Sequence, residues 1–457
     1  MTDLPSGWAW ATLEDILAVD KRPITDGPFG SKLATRHYTT SGARVIRLQN
    51  IGDGVFRDEK AFISREYFEE LCDHEVQPGD LLLASLGEEL PRVCIAPDLG
   101  TSAIVKADCI RARIHPQMDT RWVLYALMAP STRDWAASRI KGVGRPRLGM
   151  SGIRQIPIPV PPLVEQRRIV ATIEDHLSRL GAANLGIGRV ARRLRLLTKR
   201  VLVEAVPVPG PDHWRLVTVA EAGRVELGRA RHPDWHVGPH MRPYLRVANV
   251  FEDRIDASDL MEMNFPPDIF ERYRLAEKDI LLNEGQSPEY LGRPAMYRGI
   301  PEGVAFTNSL LRFRSRSGIL PEWALLVFRR HMHAGRFLRE VRITTNIAHL
   351  SATRLKNVEF PVPPLEEQER IVVEVNERLD SIQRFANAVE VGSKRAQGLR
   401  KSLLAEAFAG RLVEQDPADE PASVLLERIR ADWAVRRPVR RARRSKGDKT
   451  PQKETLL

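Results

Sequence analysis

The chain has 457 residues, 43% of them hydrophobic, and 70 lysines and arginines stand against 59 aspartates and glutamates for a formal charge of +11. That leaves room for roughly two or three folded domains. No run approaches the about 20 consecutive apolar residues of a membrane span, and the opening MTDLPSGWAW lacks the basic start and apolar core of a signal peptide, so a cytoplasmic protein is expected. The positive excess favours an acidic polymer as partner without separating DNA binding from solvated faces and tails. Cys72, Cys94 and Cys109 lack the spacing of zinc or dithiol sites and are expected to be small core residues in a reducing compartment.

The first half opens with short alternating or β-branched runs, RVIRLQNI (44–51), DLLLASL (80–86) and VCIAP (93–97), separated by Gly, Pro, Asp and Asn turn signals. They predict a mixed α/β module with twisted sheet. It closes on IPIPVPP (156–162), a strand whose prolines lack amide donors and confine it to an edge. The double proline pre-sets a helix start. From Leu163 to about Val206, Ile169, Ile173, Leu177, Leu180, Ile187, Val190, Leu194, Leu197 and Val201 recur every three or four positions. This is a long amphipathic helix with the narrow stripe of a coiled-coil seam. Gly181, Gly186 and Gly188 predict bends or short interruptions, and Pro207 a stop.

The second half repeats the plan with YLRVANV (244–250), DILLN (279–283) and VEFPVPP (358–364). A second stripe follows in Ile371, Val375, Leu379, Ile382, Val389, Leu399 and Leu403, weakened at Gly392 and Gly398 and stopped at Gly410. PVPPLVEQRRIV at 159–170 matches PVPPLEEQERIV at 361–372, and Leu148, Gln166 and Lys199 align with Leu350, Gln368 and Lys401 without a gap. Trp8 aligns with Trp214, VIRLQNI with YLRVANV, and GDLLL with KDILL. Collinear matches across both halves mean an internal duplication. Two such helices satisfy their stripes by packing on each other, and about forty residues at 1.5 Å rise give a rod on the order of 60 Å. As a ruler it would hold two modules roughly one to two turns of duplex DNA apart; a helical pair that only stabilises a dimer is the other use of such stripes.

Catalytic signatures are missing. There is no Asn-Pro-Pro-aromatic motif, no Gly-Lys dipeptide for a phosphate-binding loop, no zinc-protease pattern and no nucleophile elbow. His331 and His333 have the wrong spacing for a metal on either a strand or a helix and are expected to be solvated or phosphate-facing. Glu165, Gln166, Glu367 and Gln368 are expected to cap or start their helices.

A GW start, DGPFGSK followed by VIRLQNI, LRVANV followed by KDILLNEGQ, PLxEQxRIV before each long helix, and LLAEAFAGRLVEQDPADEPASVLLERI near the end resemble the specificity (S) subunit of type I restriction-modification enzymes over about residues 5–433. The resemblance implies an α+β chain with a pseudo-two-fold internal repeat, two mixed α/β target recognition domains joined by two long antiparallel coiled-coil-like helices. On this reading residues 1–162 form the first recognition domain, 163–206 the first conserved helix, 207–364 the second domain, 365–410 the second helix, and 411–457 an extension ending in a disordered basic tail. It further implies a non-catalytic subunit whose domains each read one half of a bipartite, asymmetric site on double-stranded DNA. The helices would set the unread spacer and dock two methyltransferase (M) subunits, joined by restriction/translocase (R) subunits. S-adenosylmethionine, ATP and Mg would belong to those partners, with no cofactor in this chain. The specificity module of another phage-defence methylation complex and an interaction scaffold that binds no DNA are the alternatives.

Base edges are read by side chains with paired donors and acceptors, while glycine loops let backbone approach phosphate. In the first domain these criteria select Gly27, Phe29, Gly30, Ser31 and Lys32, then Arg47, Gln49 and Asn50, then Lys141, Arg145 and Arg147 in the loop KGVGRPR. In the second they select Arg242, Tyr244, Arg246 and Asn249, then Asn283, Gln286 and Ser287, then Thr344, Thr345 and Asn346. Surface ion pairing is the competing use of each arginine, and turn formation that of Asn50 and Asn249.

Overall fold

The computed structural model describes residues 4–87, 89–140, 144–339, 341 and 348–436. The chain divides into two compact units, one made of residues 1–184 and 394–457, the other of residues 185–393. Each unit therefore contains the beginning of one long helix and the end of the other.

The first unit is built on a four-stranded antiparallel sheet in the order Ile24–Asp26, Cys109–Ala112, Leu81–Ala84, Arg92–Ile95. Leu81–Ala84 is buried at every position, as an unbroken apolar run in a central strand requires. Beside it lies a five-stranded sheet containing one parallel pair, Ala43–Ile46 with Ala103–Val105. The N-terminal strand Ala9–Thr12 pairs only with the proline-marked Pro157–Val160, so the missing amide donors fall in a two-stranded sheet. Asp119 accepts from the amides of Arg121 and Trp122 and starts the helix Thr120–Met128, whose Trp122 is fully buried.

The second unit repeats this plan in register. Gly223–Leu227, Leu310–Ser315, Ile280–Asn283 and Pro294–Met296 form the antiparallel sheet. Met241–Leu245 pairs in parallel with Ala305–Phe306, Arg215–Thr218 pairs with Glu359–Val362, and Pro321–His333 is the buried helix.

The two long helices run Leu163–Ala205 and Leu365–Phe408, 43 and 44 residues. Neither is interrupted, contrary to the expectation from their glycines. A Cβ at Gly181, Gly186 or Gly188 would meet nothing within 4 Å, so these glycines cost helix propensity without forcing a bend. Gly410, at φ +69, ends the second helix in the left-handed conformation. In the first unit Ile169, Val170 and Ile173 share a core with Leu404 and Ala407; in the second Val201 and Leu202 share one with Ile371, Val375, Leu379 and Ile382. The stripe residues Val190 and Leu197 stay exposed at 44% and 45%, as does Phe385 on the second helix at 66%.

The PLxEQ motifs start the two helices, as expected, and are also tie points. Glu165 accepts the Trp8 indole N–H at 3.1 Å, and Glu367 accepts that of Trp214 at 3.1 Å. Gln166 accepts from Asp119 N and donates to Pro161 O, while Gln368 accepts from Leu320 N and donates to Pro363 O. Each motif thus fastens its helix start to the module that precedes it. The extension also contains a helix that the sequence reading lacked, Ala422–Arg436, which closes on the first unit. Leu425, Leu426 and Ile429 enter its core, and Trp433 Nε1 donates to Leu17 O at 3.0 Å. The basic tail beyond Arg436 lies outside the described residues.

Two smaller expectations are corrected. Cys94 and Cys109 are buried but Cys72 is exposed, following a helix end where the chain turns at the surface. His331 is fully buried on its helix with Nε2 on Glu359 O, and His333 lies 3.0 Å from the Glu252 carboxylate, so neither is free in solvent. Burial holds the His331 imidazole neutral by pushing its pKa down. Among the described residues no helix is long and apolar enough to cross a membrane.

Candidate nucleic-acid interface

In the first unit the parallel pairing of Ala43–Ile46 with Ala103–Val105 makes two loops leave the sheet side by side, one at Arg47 and one at Lys106. Lys106 N donates to Ile46 O at 2.8 Å and extends this ladder beyond its last paired residue. Gly27 packs on the same backbone, where a Cβ would lie 2.1 Å from Lys106 C and 2.4 Å from Val105 O. Only glycine fits there. After it, Phe29, Gly30, Ser31 and Lys32 are all exposed.

Thr35, Tyr38, Arg47, Leu48, Gln49, Leu86, Lys106, Ala107, Asp108 and Arg145 line a groove of about 540 Å³. Two of the segments selected from the sequence, those of Arg47 and Gln49 and of Arg145, therefore meet around one depression, and Gly27 packs on the backbone of Lys106 in its wall. The carboxylate of the groove, Asp108, is paired with Arg147, whereas among the described residues Arg47, Lys106 and Arg145 have no carboxylate at ion-pair distance. Uncompensated cations in a groove raise the local concentration of an anionic ligand. Arg147 differs. It is bound by Asp108 and, at 3.6 Å, by Asp26, with its guanidinium 5.4 Å from the Phe29 ring centre. Burial, reinforced by the Asp108 charge, pushes the Asp26 carboxyl up to about 6.

Asn50 belongs to the framework. Fully buried, it accepts from Arg47 N at 2.8 Å and donates to Arg57 O and Glu59 O, each at 2.8 Å. Asn249 repeats the arrangement with Arg246 N, Asp256 O and Asp259 O. These amides hold the turn and are not offered to a base, which corrects their place in the DNA-reading set. Gln49 remains exposed, with Nε2 on Glu59. Lys141 lies outside the described residues.

The second unit keeps the scaffold and changes the chemistry. A Cβ at Gly228 would lie 2.2 Å from Thr307 O, and Thr307 N donates to Leu245 O, so Thr307 holds the position of Lys106. Its hydroxyl is buried on Leu245 O and Ser309. Arg246 is paired with Asp259, whereas Arg242 is exposed, 5.2 Å from the Phe270 ring centre. Tyr244 and Asn283 are fully buried, which removes them as surface contacts: the Tyr244 hydroxyl faces Met261 Sδ at 3.6 Å, and both amide atoms of Asn283 lack partners. Gln286 is held by backbone pairing with Ala348 next to the half-buried Ser287. Thr344, Thr345 and Asn346 lie outside the described residues.

Sequence reasoning missed Thr35, Tyr38 and Lys106 in the first unit, and the exposed Arg231, His232, His236 and His240 in the second. These last four follow Gly228 as the residues from Phe29 follow Gly27. The shared glycine was the available signal.

The chain matches the family described as type I restriction modification DNA specificity domain over residues 5–184 and 267–388. It is 22% identical to the EcoKI specificity subunit of Escherichia coli K12, over 94% of this chain and 97% of that one. It is also 22% identical to the StySPI specificity subunit of Salmonella potsdam, over 94% and 96% respectively. Its fold resembles that of a chain in a solved structure concerned with complex assembly and conformational transition of the type I R-M system, at 19% identity and a TM-score of 0.67, over 90% of this chain and 100% of the other. Two similar modules, a long helix after each and a cation-lined groove on the first are thus found in a chain that belongs to the type I restriction-modification DNA specificity family, the non-catalytic subunits that recognise DNA sequence.

Proposed function

We propose that residues 1–162 and 207–364 are two target recognition domains, each reading one half of a bipartite, asymmetric site on double-stranded DNA. The observation that carries this reading is the groove of Arg47, Gln49, Lys106 and Arg145, whose three cations have no acidic partner among the described residues. Arginine or lysine takes guanine O6 and N7, and glutamine takes adenine. Lys32 and the loop from Phe29 would hold the adjacent phosphates, as would Lys141. Arg147 is shielded by Asp26 and Asp108 until DNA competes for it. In the second domain Arg242, Gln286, Ser287 and Thr344–Asn346 take the corresponding part, with Arg246 released from Asp259.

The helices 163–206 and 365–410 would set the unread spacer and carry two methyltransferase subunits, which restriction/translocase subunits join in the cytoplasm. Exposed apolar side chains on the helices, among them Leu185, Leu196, Phe385 and Val391, support docking there. In the second unit Leu194, Leu197, Val201, Ile382 and Phe385 line a groove of about 670 Å³ between the two helices.

The test is binding of the complex with its methyltransferase subunits to duplexes with and without the genomic methylation motif, over a range of salt. Preference for the motif, with affinity falling as salt rises, is expected. Equal affinity for all duplexes would exclude sequence reading.

A further inference from the structure

Resting on the DNA-reading assignment of the first domain, we infer that Lys106 is a specificity-determining residue that donates to the major-groove edge of a guanine. Three observations place it there. Its backbone is fixed on three sides, by Ile46 O, by the amide of Cys109 and by Gly27. A base-reading side chain needs such a rigid origin, because discrimination fails if the donor can move aside. Its side chain is half-buried in the wall of the groove, with Nζ 5.4 Å from the Tyr38 ring centre. Among the described residues it has no carboxylate partner.

Burial separates Lys106 from exposed cations of the first unit. Lys32, Arg36 and Arg145 are exposed and suit phosphates, which lie outermost on a duplex. Lys106, half-buried like Arg47 and lining the groove with Gln49, suits the base edges between them. The Tyr38 ring lines the same groove and flanks the Lys106 side chain.

The internal repeat supplies a control. Thr307 has the same backbone position in the second unit, with the same ladder bond and the same glycine packed on it, but its short hydroxyl is buried on backbone. One position of a common scaffold thus carries a reaching cation in one module and none in the other. Two half-sites with different base demands require such a difference.

The experiment copies one module's residue into the other. K106T and K106Q subunits are assembled with their methyltransferase partners, and binding is measured against duplexes carrying every single base-pair change in the half-site read by residues 1–162. Both variants are expected to lose about tenfold in affinity for the cognate duplex while gaining indifference at one G·C pair, a change in the range of one lost base contact. Methylation directed by the second half-site on a matched hybrid duplex reports that the subunit is folded. An equal loss on every duplex, with a salt slope smaller by about one, would make Lys106 a phosphate contact and overturn the inference. An unchanged profile would overturn it too. Absence of any sequence preference in the wild-type complex would instead sink the DNA-reading assignment itself.

Discussion

Asn50 and Lys106 stand close to the same groove and do opposite work. Asn50 is buried with three backbone hydrogen bonds, so N50A should cost about 1–3 kcal/mol, the cost of leaving buried groups unpaired. Chemical denaturation should register that loss, with the base preference of whatever remains folded unchanged. Asp26 provides a pH signature. Its folded pKa near 6 lies above the ordinary 3.8, so the folded form prefers the proton. The stability this confers is complete below about pH 4 and is lost as pH rises through 6. D26N, which keeps an acceptor for Gly27 N, should therefore melt above the wild type at pH 7, and the difference should close on acidification to pH 4. A pH-independent difference would place the effect elsewhere.

At the scale of elements, the helices were the most legible part of the chain. Their apolar spacing is local, and the prolines before Leu163 and Leu365 mark their starts within the sequence itself. The glycines misled, because exposed glycine weakens a helix without breaking one whose ends are fastened. The fastening, Trp8 to Glu165 and Trp214 to Glu367, links residues far apart in the chain and leaves no local pattern. The groove was legible only in pieces for the same reason. Lys106 meets Arg47 through a parallel strand pair, and hydrophobic alternation does not specify which strands pair. Four residues inserted at Gly186 would lengthen the first helix by about 6 Å, somewhat under two base-pair steps. The methylation motif is expected to keep both half-sites and widen its spacer by one or two base pairs; an unchanged spacer would rule out the ruler.

On the scale of the whole molecule, the repeat is uneven in a way that follows its uses. Registers, tryptophan pairs and the PLxEQ ties recur in both units, with Trp8–Trp122 and Trp214–Trp323 centres at 5.6 and 5.5 Å and both pairs at 86°. Groove residues differ, as Lys106 and Thr307 do. Replacing residues 1–162 with those of a relative should consequently change one half of the methylation motif and leave the other, as read by single-molecule sequencing of the modified DNA. A change in both halves would refute independent reading.

The closing helix has a consequence for synthesis. The second unit is a continuous stretch, residues 185–393, and its core residues, from Val201 to Ile382, are all present once that stretch has left the ribosome. The first unit, although translated earlier, lacks Leu404, Ala407, Leu425, Leu426 and Ile429 until the stretch after residue 393 is made. Folding order is therefore expected to be reversed with respect to translation order, against the usual N-terminal-first course. Stalled nascent chains ending after Ser393, with the ribosomal tunnel spanned by a linker, should resist protease across 207–364 and yield within 1–162. Protection of the earlier segment should follow only in chains extended through Arg436.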